Sequence, residues 1–551
     1  SGTWYAHASV GCLHVRPILN MKTEAGARAM RAIAEETFEM VRAYKGSHSG
    51  EHGDGIVRSE FNELMFGERM VSAFEEVKDR FDPAGVLNPG KVVRAPRMDD
   101  RNLMRYSPDY RAEEIATALD WSEWPGAGGG FQGAVEMCNN NGACRKLEGG
   151  VMCPSYRLTR NESDVTRGRA NSLRLAITGQ LGPDALTSDE MMESLKLCVS
   201  CKACRRECPT GVDMARMKIE VLNARARKYG TGLHDRLIAH LPRYAPYAAQ
   251  LSPLANLRDR IPGAAWVSEK ITGFSAKREL PHWRRDIFDH GQSSGPENGR
   301  EIVLFADTFN TYFEPENLRA AMRVLAAAGY RAEVAQAPDG TRPLCCGRTF
   351  LSAGLVDEAR AEAQRLADVL QPAAARGVPI IGLEPSCLFT LRDELSSLVT
   401  RQQADTIGAQ SFMFEEFLAK EADAGRLDLA LEPLAGKALL HGHCHQKSFA
   451  AMDAVTQTLR LIPDLEVEEI ETSCCGMAGA FGYAAETYEA SVAMGELSLL
   501  PRIRKADQST VLVADGTSCR QQIADGSGRE ALHVARLLDQ ALHSSGNTAA
   551  G

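Results

Sequence analysis

Between residues 198 and 209 the chain reads Cys-x2-Cys-x2-Cys-x3-Cys-Pro, with thiols at Cys198, Cys201, Cys204 and Cys208 and with Pro209 closing the run. Soft thiolates at this spacing are what an iron–sulfur cubane requires, because sulfur neutralises iron and matches it covalently. The segment must therefore fold as a loop around a cluster, and a chain that carries it moves electrons. Where two such clusters lie together, three closely spaced cysteines hold one and the cysteine before the proline reaches across to the other. A partner motif is thus required.

That partner lies upstream as Cys138-x5-Cys144-x8-Cys153-Pro154, with Asn141 where a middle cysteine would stand. By the crossover rule one 4Fe-4S cluster takes Cys198, Cys201, Cys204 and Cys153, while the other takes Cys138, Cys144 and Cys208. The second is one thiolate short. Either Asn141 or a water completes it, or one iron is missing and the cluster is 3Fe-4S. The plainer readings of these motifs are a zinc knuckle or buried thiols.

With 551 residues the chain holds several domains, and its 44% hydrophobic and 25% charged content can build ordinary cores. A formal charge of −9 excludes nucleic acid as the expected partner, and no apolar run is long enough for a membrane span. The 15 cysteines, an odd number grouped at ligand spacings, read as reduced cytosolic thiols and not as a disulfide framework.

The opening segment, from Ser1 to Pro17, alternates like a strand from inside a sheet, without a starting methionine, so the sequence is expected to be part of a longer polypeptide. It carries His7 and His14, which an uninterrupted strand would point to opposite faces; a turn or bulge at Gly11 is needed for them to converge. A helix is expected over about Glu24 to Tyr44, followed by the loop Gly46-Ser-His-Ser-Gly-Glu-His-Gly-Asp-Gly55. Two imidazoles and a carboxylate suit zinc or another divalent ion with a position left open.

The stretch from Trp4 to Val92 resembles the C-terminal part of the FAD-linked D-2-hydroxyacid dehydrogenases, which include D-2-hydroxyglutarate and D-lactate dehydrogenases and the glycolate oxidase flavin subunit. The resemblance rests on the His7-x6-His14 pair, on Ser49-Gly-Glu51-His52-Gly53, and on the Asp-Pro-x-Gly-x-x-Asn-Pro-Gly-Lys run from Asp82 to Lys91. It implies that His7, His14 and Glu51 hold the metal and that His52 is the catalytic base, in contact with substrate, taking the hydroxyl proton as a hydride passes to FAD. Arg16 is the candidate for holding a substrate carboxylate by a forked contact, although the family tends to carry a shorter polar residue there. Asn88 is a candidate contact to the flavin. The domain that binds most of the FAD is expected to lie outside this chain, since no dinucleotide fingerprint appears in it.

The expected domain order is the oxidase fragment at 1–95, a linker at 96–135 with Trp121, Trp124 and the run Gly128 to Gly130, a ferredoxin-like domain at 136–230, and a helical connector at 231–299. Two copies of an α/β unit follow, at 300–425 and 426–545. Helices are expected at Ser163 to Thr178 and at Asp189 to Lys196; the arginines of Thr166-Arg-Gly-Arg-Ala170 read as a solvated helix face rather than as compensation for cluster charge. The first copy has Thr308, Cys345-Cys346-Gly347 and Cys387; the second has Cys444, Cys474-Cys475-Gly476 and Cys519. Each copy reads as a small parallel layer with its cysteines at strand ends.

These copies resemble the Cys-Cys-Gly domains of heterodisulfide reductase and of the iron–sulfur subunit of anaerobic glycerol-3-phosphate dehydrogenase. Thr308 replaces the first copy's lone cysteine, and Thr390 and Gln522 replace the last cysteine of each copy. The second copy keeps Cys444, Cys474, Cys475 and Cys519, enough for a further metal or cluster.

The fold expected is therefore multidomain α+β and α/β: part of an FAD-linked oxidase substrate domain, an α-helical di-cluster ferredoxin-like domain and a tandem of α/β Cys-Cys-Gly domains. The resemblance implies oxidation of a D-2-hydroxyacid, D-2-hydroxyglutarate first, with D-lactate or glycolate as alternatives. Electrons would pass from FAD through the clusters to a quinone or carrier. An electron-transfer subunit without catalysis of its own is the rival. A homo-oligomer is expected, in the cytoplasm or peripheral on the inner face of the membrane.

Overall fold

The computed structural model describes residues 2–111, 115–124, 129–337, 340 and 342–542. Gly128 of the expected linker and residues 543–545 of the second copy lie outside them. The chain divides into two compact units, Ser1–Ala112 and Glu113–Gly551.

In the first unit, strands β1 (Gly2–His7) and β2 (Cys12–Pro17) form an antiparallel hairpin joined by a 3-10 turn at Ala8–Val10. Gly11, at φ 65°, closes that turn in the left-handed region where a side chain would be strained. The register sets Tyr5 opposite His14 and His7 opposite Cys12, so His7 and His14 become diagonal neighbours on one face. The helix Glu24–Ala43 follows. Thr23 caps it by accepting the Gly26 N–H, and Glu24 and Arg42 complement the helix dipole at its two ends. Its Phe38 packs with Phe61 and Met98, and its Arg31 is held by Glu60 and Asp99 at 2.9 and 2.8 Å.

The cluster-motif segment of the second unit is helical, with helices at Pro154–Thr159, Thr166–Ile177, Asp189–Lys196, Ala203–Glu207 and Met214–Tyr229. The helix expected from Ser163 starts at Thr166, because Val165 is extended and wholly buried, and the turn before it is a separate 3-10 piece capped by Asn161. Glu220 fastens the preceding segment. Its carboxylate accepts the N–H groups of Ala118 and Leu119 and the indole N–H of Trp121.

Downstream lie β3 (Ser293–Ser294), β4 (Arg300–Phe305), β5 (Tyr330–Val334), β6 (Ile380–Gly382) and β7 (Ser411–Met413), in the order β3-β5-β4-β6-β7, parallel except for β3. Then come β8 (Gly436–Leu440), β9 (Leu465–Glu469) and β10 (Val511–Val513), a parallel sheet ordered β10-β8-β9. The strands β4, β6, β8 and β10 are short and largely apolar, as parallel pairing favours, whereas the edge strand β9, Leu-Glu-Val-Glu-Glu, stays partly exposed. One apolar core joins the cluster-motif helices to the first sheet through Leu173, Met217, Leu366 and Phe389; a second joins the two sheets through Leu304, Leu440 and Leu538.

Glu421, on the helix Phe414–Asp423, anchors the first sheet. It is buried and takes bonds from Arg426 at 2.7 Å and the Tyr330 hydroxyl at 2.8 Å, and it pairs with Arg300. Arg426 first, then Arg300 and Tyr330, lower its carboxyl from 4.5 to about 2 against the opposing effect of burial. A depressed carboxyl stabilises the fold above its unfolded value, and that stability is lost as pH falls toward 2. Glu421→Gln is expected to cost about 3 kcal/mol at pH 7. The gap between variant and wild type, read as urea-unfolding midpoints at pH 7 and pH 3, should shrink at the lower pH.

Candidate functional site

The first constellation is built by the hairpin and by the loop after the helix Glu24–Ala43. His7 and His14 lie with ring centroids 4.7 Å apart, and Glu51 Oε1 is 3.5 Å from His7 Nε2 and 3.0 Å from His14 Nε2. The three donor atoms fall within 4.8 Å of one another. The loop comes this close because residue 50 is glycine: a Cβ there would lie 2.4 Å from Cys12 Sγ.

Tyr5, which the spacing argument overlooked, stacks flat on His14 at 4.4 Å, and the Arg16 guanidinium lies 5.0 Å from the centroid of the Tyr5 ring. The hairpin register, had it been drawn out, puts all four residues on one face. His52 points its Nε2 to within 3.1 Å of Glu51 Oε1 and is the most exposed of the group. Asn88 adopts φ 47° and accepts from Lys91 Nζ at 3.4 Å.

These residues fit a divalent cation. His14 Nε2 is buried and makes no hydrogen bond despite its nearness to Glu51. Two imidazole nitrogens and one carboxylate oxygen converging on a point suit zinc with an open coordination position.

The second constellation is the set of thiols in the other unit. Cys138, Cys144, Cys153, Cys201 and Cys204 are buried, Cys198 and Cys208 partly so, and none of the seven is in a disulfide. Cys153, Cys198, Cys201 and Cys204 lie near enough to act on one another electrostatically, as do Cys138 and Cys144. The loops reach this arrangement through left-handed backbone at Asn140, Cys153, Ser200 and Lys202, none of them glycine. Burial pushes Cys144 up to about 11 and raises Cys201 and Cys204 well above the ordinary thiol value. Thiols packed this way resist ionising unless cations sit among them, which is the environment that iron supplies.

Asn141 spends its side chain on turn bonds to Ala143 N–H and Asn139. Arg169, expected on a solvated face, is instead 2% exposed; it bonds Ser194 O and Ser155 Oγ and favours the thiolate form of Cys198 against the cost of burial. The sequence signal for this was its place one turn into a helix wedged between two cysteine motifs.

The loop of Cys198–Cys208 is clamped by both sheets' helices. Lys202 pairs with Asp393 at 2.8 Å and with Glu394, while His445 Nε2 meets Ser200 O at 3.2 Å and Ser448 donates to Cys201 O at 2.8 Å. Cys444, next to His445, lies within electrostatic reach of Cys201.

Around Cys444 gather Cys474, Cys475, Cys519 and a residue that the cysteine pattern did not single out, His441. Its Nδ1 is 3.1 Å from Thr472 Oγ1, its Nε2 is buried without a partner, and its donor atoms lie within 4.8 Å of Cys475 and Cys519. Both Cys-Cys-Gly turns have the same local geometry, the glycine N–H reaching the first cysteine's sulfur at 3.3 Å in each. A cleft of about 400 Å³ is lined by Val151, Glu207, Lys447, Glu471 and Thr472.

Residues 1–92 match the family model for the C-terminal domain of FAD linked oxidases, and residues 134–212 match that for the 4Fe-4S dicluster domain. D-2-hydroxyglutarate dehydrogenase of Escherichia coli (strain K12) is 26% identical over 97% of this chain, and that of Pseudomonas putida is 27% identical over 97%; each alignment covers 55% of the relative. A component of the anaerobic glycerol-3-phosphate dehydrogenase of Escherichia coli (strain K12) is 26% identical over 59% of this chain and 82% of its own length. The chain spans about half the length of the D-2-hydroxyglutarate dehydrogenases it matches. Along nearly all of its length the chain resembles part of those dehydrogenases, and within it a match to the FAD linked oxidase C-terminal domain precedes one to the 4Fe-4S dicluster domain.

Proposed function

We propose that this chain is the metal- and cluster-bearing part of a flavin- and iron–sulfur-dependent dehydrogenase that oxidises D-2-hydroxyglutarate to the 2-oxoacid. The observation that carries the reading is the convergence of His7, His14 and Glu51 with His52 alongside. When bound, the divalent ion supplies a Lewis acid, the flavin a hydride acceptor and the clusters one-electron carriers.

The residues of this chain do the rest. His7, His14 and Glu51 hold the metal, zinc by their donor set. His52 takes the substrate hydroxyl proton, and an imidazole suits this because its ordinary pKa of about 6.5 lies near neutrality. Arg16, with Tyr5 beneath it, holds a substrate carboxylate. Asn88 is this chain's contact to the flavin.

Cys198, Cys201, Cys204 and Cys153 hold one cluster, and Cys138, Cys144 and Cys208 the other. Cys444, Cys474, Cys475 and Cys519, with His441, hold a further metal or cluster in the second of two Cys-Cys-Gly domains. Electrons leave for a quinone or carrier.

The test is a panel of 2-hydroxyacids with an artificial electron acceptor on the full-length protein, alongside its iron, sulfide and zinc content. D-2-hydroxyglutarate should be the best substrate, and Glu51→Gln should lose the zinc and at least about 10²-fold in activity while iron content is unchanged. A protein that oxidises no member of the panel, or that keeps full activity without the divalent ion, would sink the proposal.

A further inference from the structure

Residues 231–278, which join the cluster segment to the first sheet, hold seven Lys/Arg against three Asp/Glu in a chain of formal charge −9, and Arg243, Arg258, Lys277 and Arg278 among them pair with Glu362, Asp259, Glu489 and Asp525. Three of their helices are short, Leu241–Gln250 and Ser252–Ala255 with prolines in them and Ala264–Thr272 without. One side faces inward, with Ala245 and Ala249 buried against Tyr312 and Phe313. The other side is apolar as well. Tyr247, Leu251 and Leu254 follow at helical spacing and are 69%, 58% and 66% exposed, and Trp266 and Ile271 on the next helix are 61% and 64% exposed.

The turn before the helix Ala264–Thr272 is tied to it by Arg258, whose Nε donates to Ser268 Oγ at 3.3 Å. Exposed cations lie beside the apolar residues. Arg260 and Lys270 face no carboxylate within ion-pair distance among the described residues, for Asp259 is taken by Arg258 and Glu269 accepts the Ala276 N–H. No described helix is long and apolar enough to cross a membrane.

An amphipathic surface with protruding Trp, Leu and Ile and unpaired cations, on an otherwise acidic protein, fits the headgroup plane of an anionic bilayer. The remaining negative charge would repel such a bilayer from other faces, so this patch also sets the orientation. We propose that residues 241–272 are an in-plane docking surface for anionic lipid, with Leu254, Trp266 and Ile271 inserted and Arg260 and Lys270 against lipid phosphates. This goes beyond the dehydrogenase reading and does not depend on its substrate, since binding is read without turnover.

The full-length protein, sedimented with phosphatidylcholine vesicles containing phosphatidylglycerol, is expected to bind and to be released by added salt. Pure phosphatidylcholine should bind it at least about tenfold more weakly. Combining Trp266→Glu with Ile271→Glu should lower binding by about tenfold or more, and combining Arg260→Glu with Lys270→Glu should abolish the preference for phosphatidylglycerol. Leu181→Glu, at an exposed apolar residue outside the patch, should change nothing. Unchanged visible absorption of the clusters certifies that each variant is folded, and the charge pair lies on exposed side chains that folding does not need. Wild-type protein that ignores the vesicles, or binding that survives both pairs of substitutions, overturns the proposal. So does a lower solution mass of the Trp266→Glu, Ile271→Glu variant without vesicles, which would assign the face to a second copy of the chain.

Discussion

His52→Ala is expected to lower substrate-dependent flavin reduction by about 10²- to 10⁴-fold, the usual contribution of a positioned general base. The loss should appear in kcat, with substrate affinity nearly unchanged, because Arg16 and the donors His7, His14 and Glu51 remain in place. Zinc and iron content and the visible spectrum of the clusters should match the wild type. His52 Nε2 lies 3.1 Å from Glu51 Oε1, so in the proposed function the carboxylate assigned to the cation would also orient the base. That coupling separates two kinds of variant: loss of Glu51 removes metal and activity together, whereas loss of His52 removes activity alone. Flavin reduction at the normal rate would refute the assignment of the base.

The cysteine motifs made the cluster segment legible, because ligand spacing is a local property that survives any change in the surrounding packing. The members of the His7, His14 and Glu51 constellation were legible, while its geometry depended on register. His7 and His14 are seven apart, and only the pairing of Tyr5 with His14 converts that distance into contact. Tyr5 was missed for the same reason: an aromatic residue in a strand carries no sign of its cross-strand neighbour. Arg169 was misread as solvated because a charged residue on a helix is usually exposed, and only tertiary packing buries it among Ser155, Asp164 and the thiols. His441 lies three residues before Cys444, at the end of β8, and becomes a candidate ligand only when β8 and β10 pair and bring Cys519 alongside. The long-range contacts between the Cys198–Cys208 loop and the helices after both sheets had no local signature at all.

Cys201→Ser is expected to leave flavin reduction by substrate intact while lowering turnover with the physiological acceptor by about 10²-fold or more. Serine offers a hard oxygen where iron prefers a soft thiolate, so the cluster proposed to be held by Cys153, Cys198, Cys201 and Cys204 should be lost or altered. Iron content and the reduced-state paramagnetic signal report this directly. The chemistry of His52 belongs to the other compact unit and does not need this loop to be loaded. An artificial acceptor that takes electrons straight from the flavin should therefore restore turnover, which a general folding defect would not permit. The expected loss is large because Cys201 stands at a crossing: its carbonyl is held by Ser448 at 2.8 Å, and its thiol lies within electrostatic reach of Cys444. If the thiols around Cys444 hold the proposed further centre, electrons bound for it would pass this point. Undiminished turnover with the physiological acceptor would mean that electrons leave by a route that bypasses this cluster.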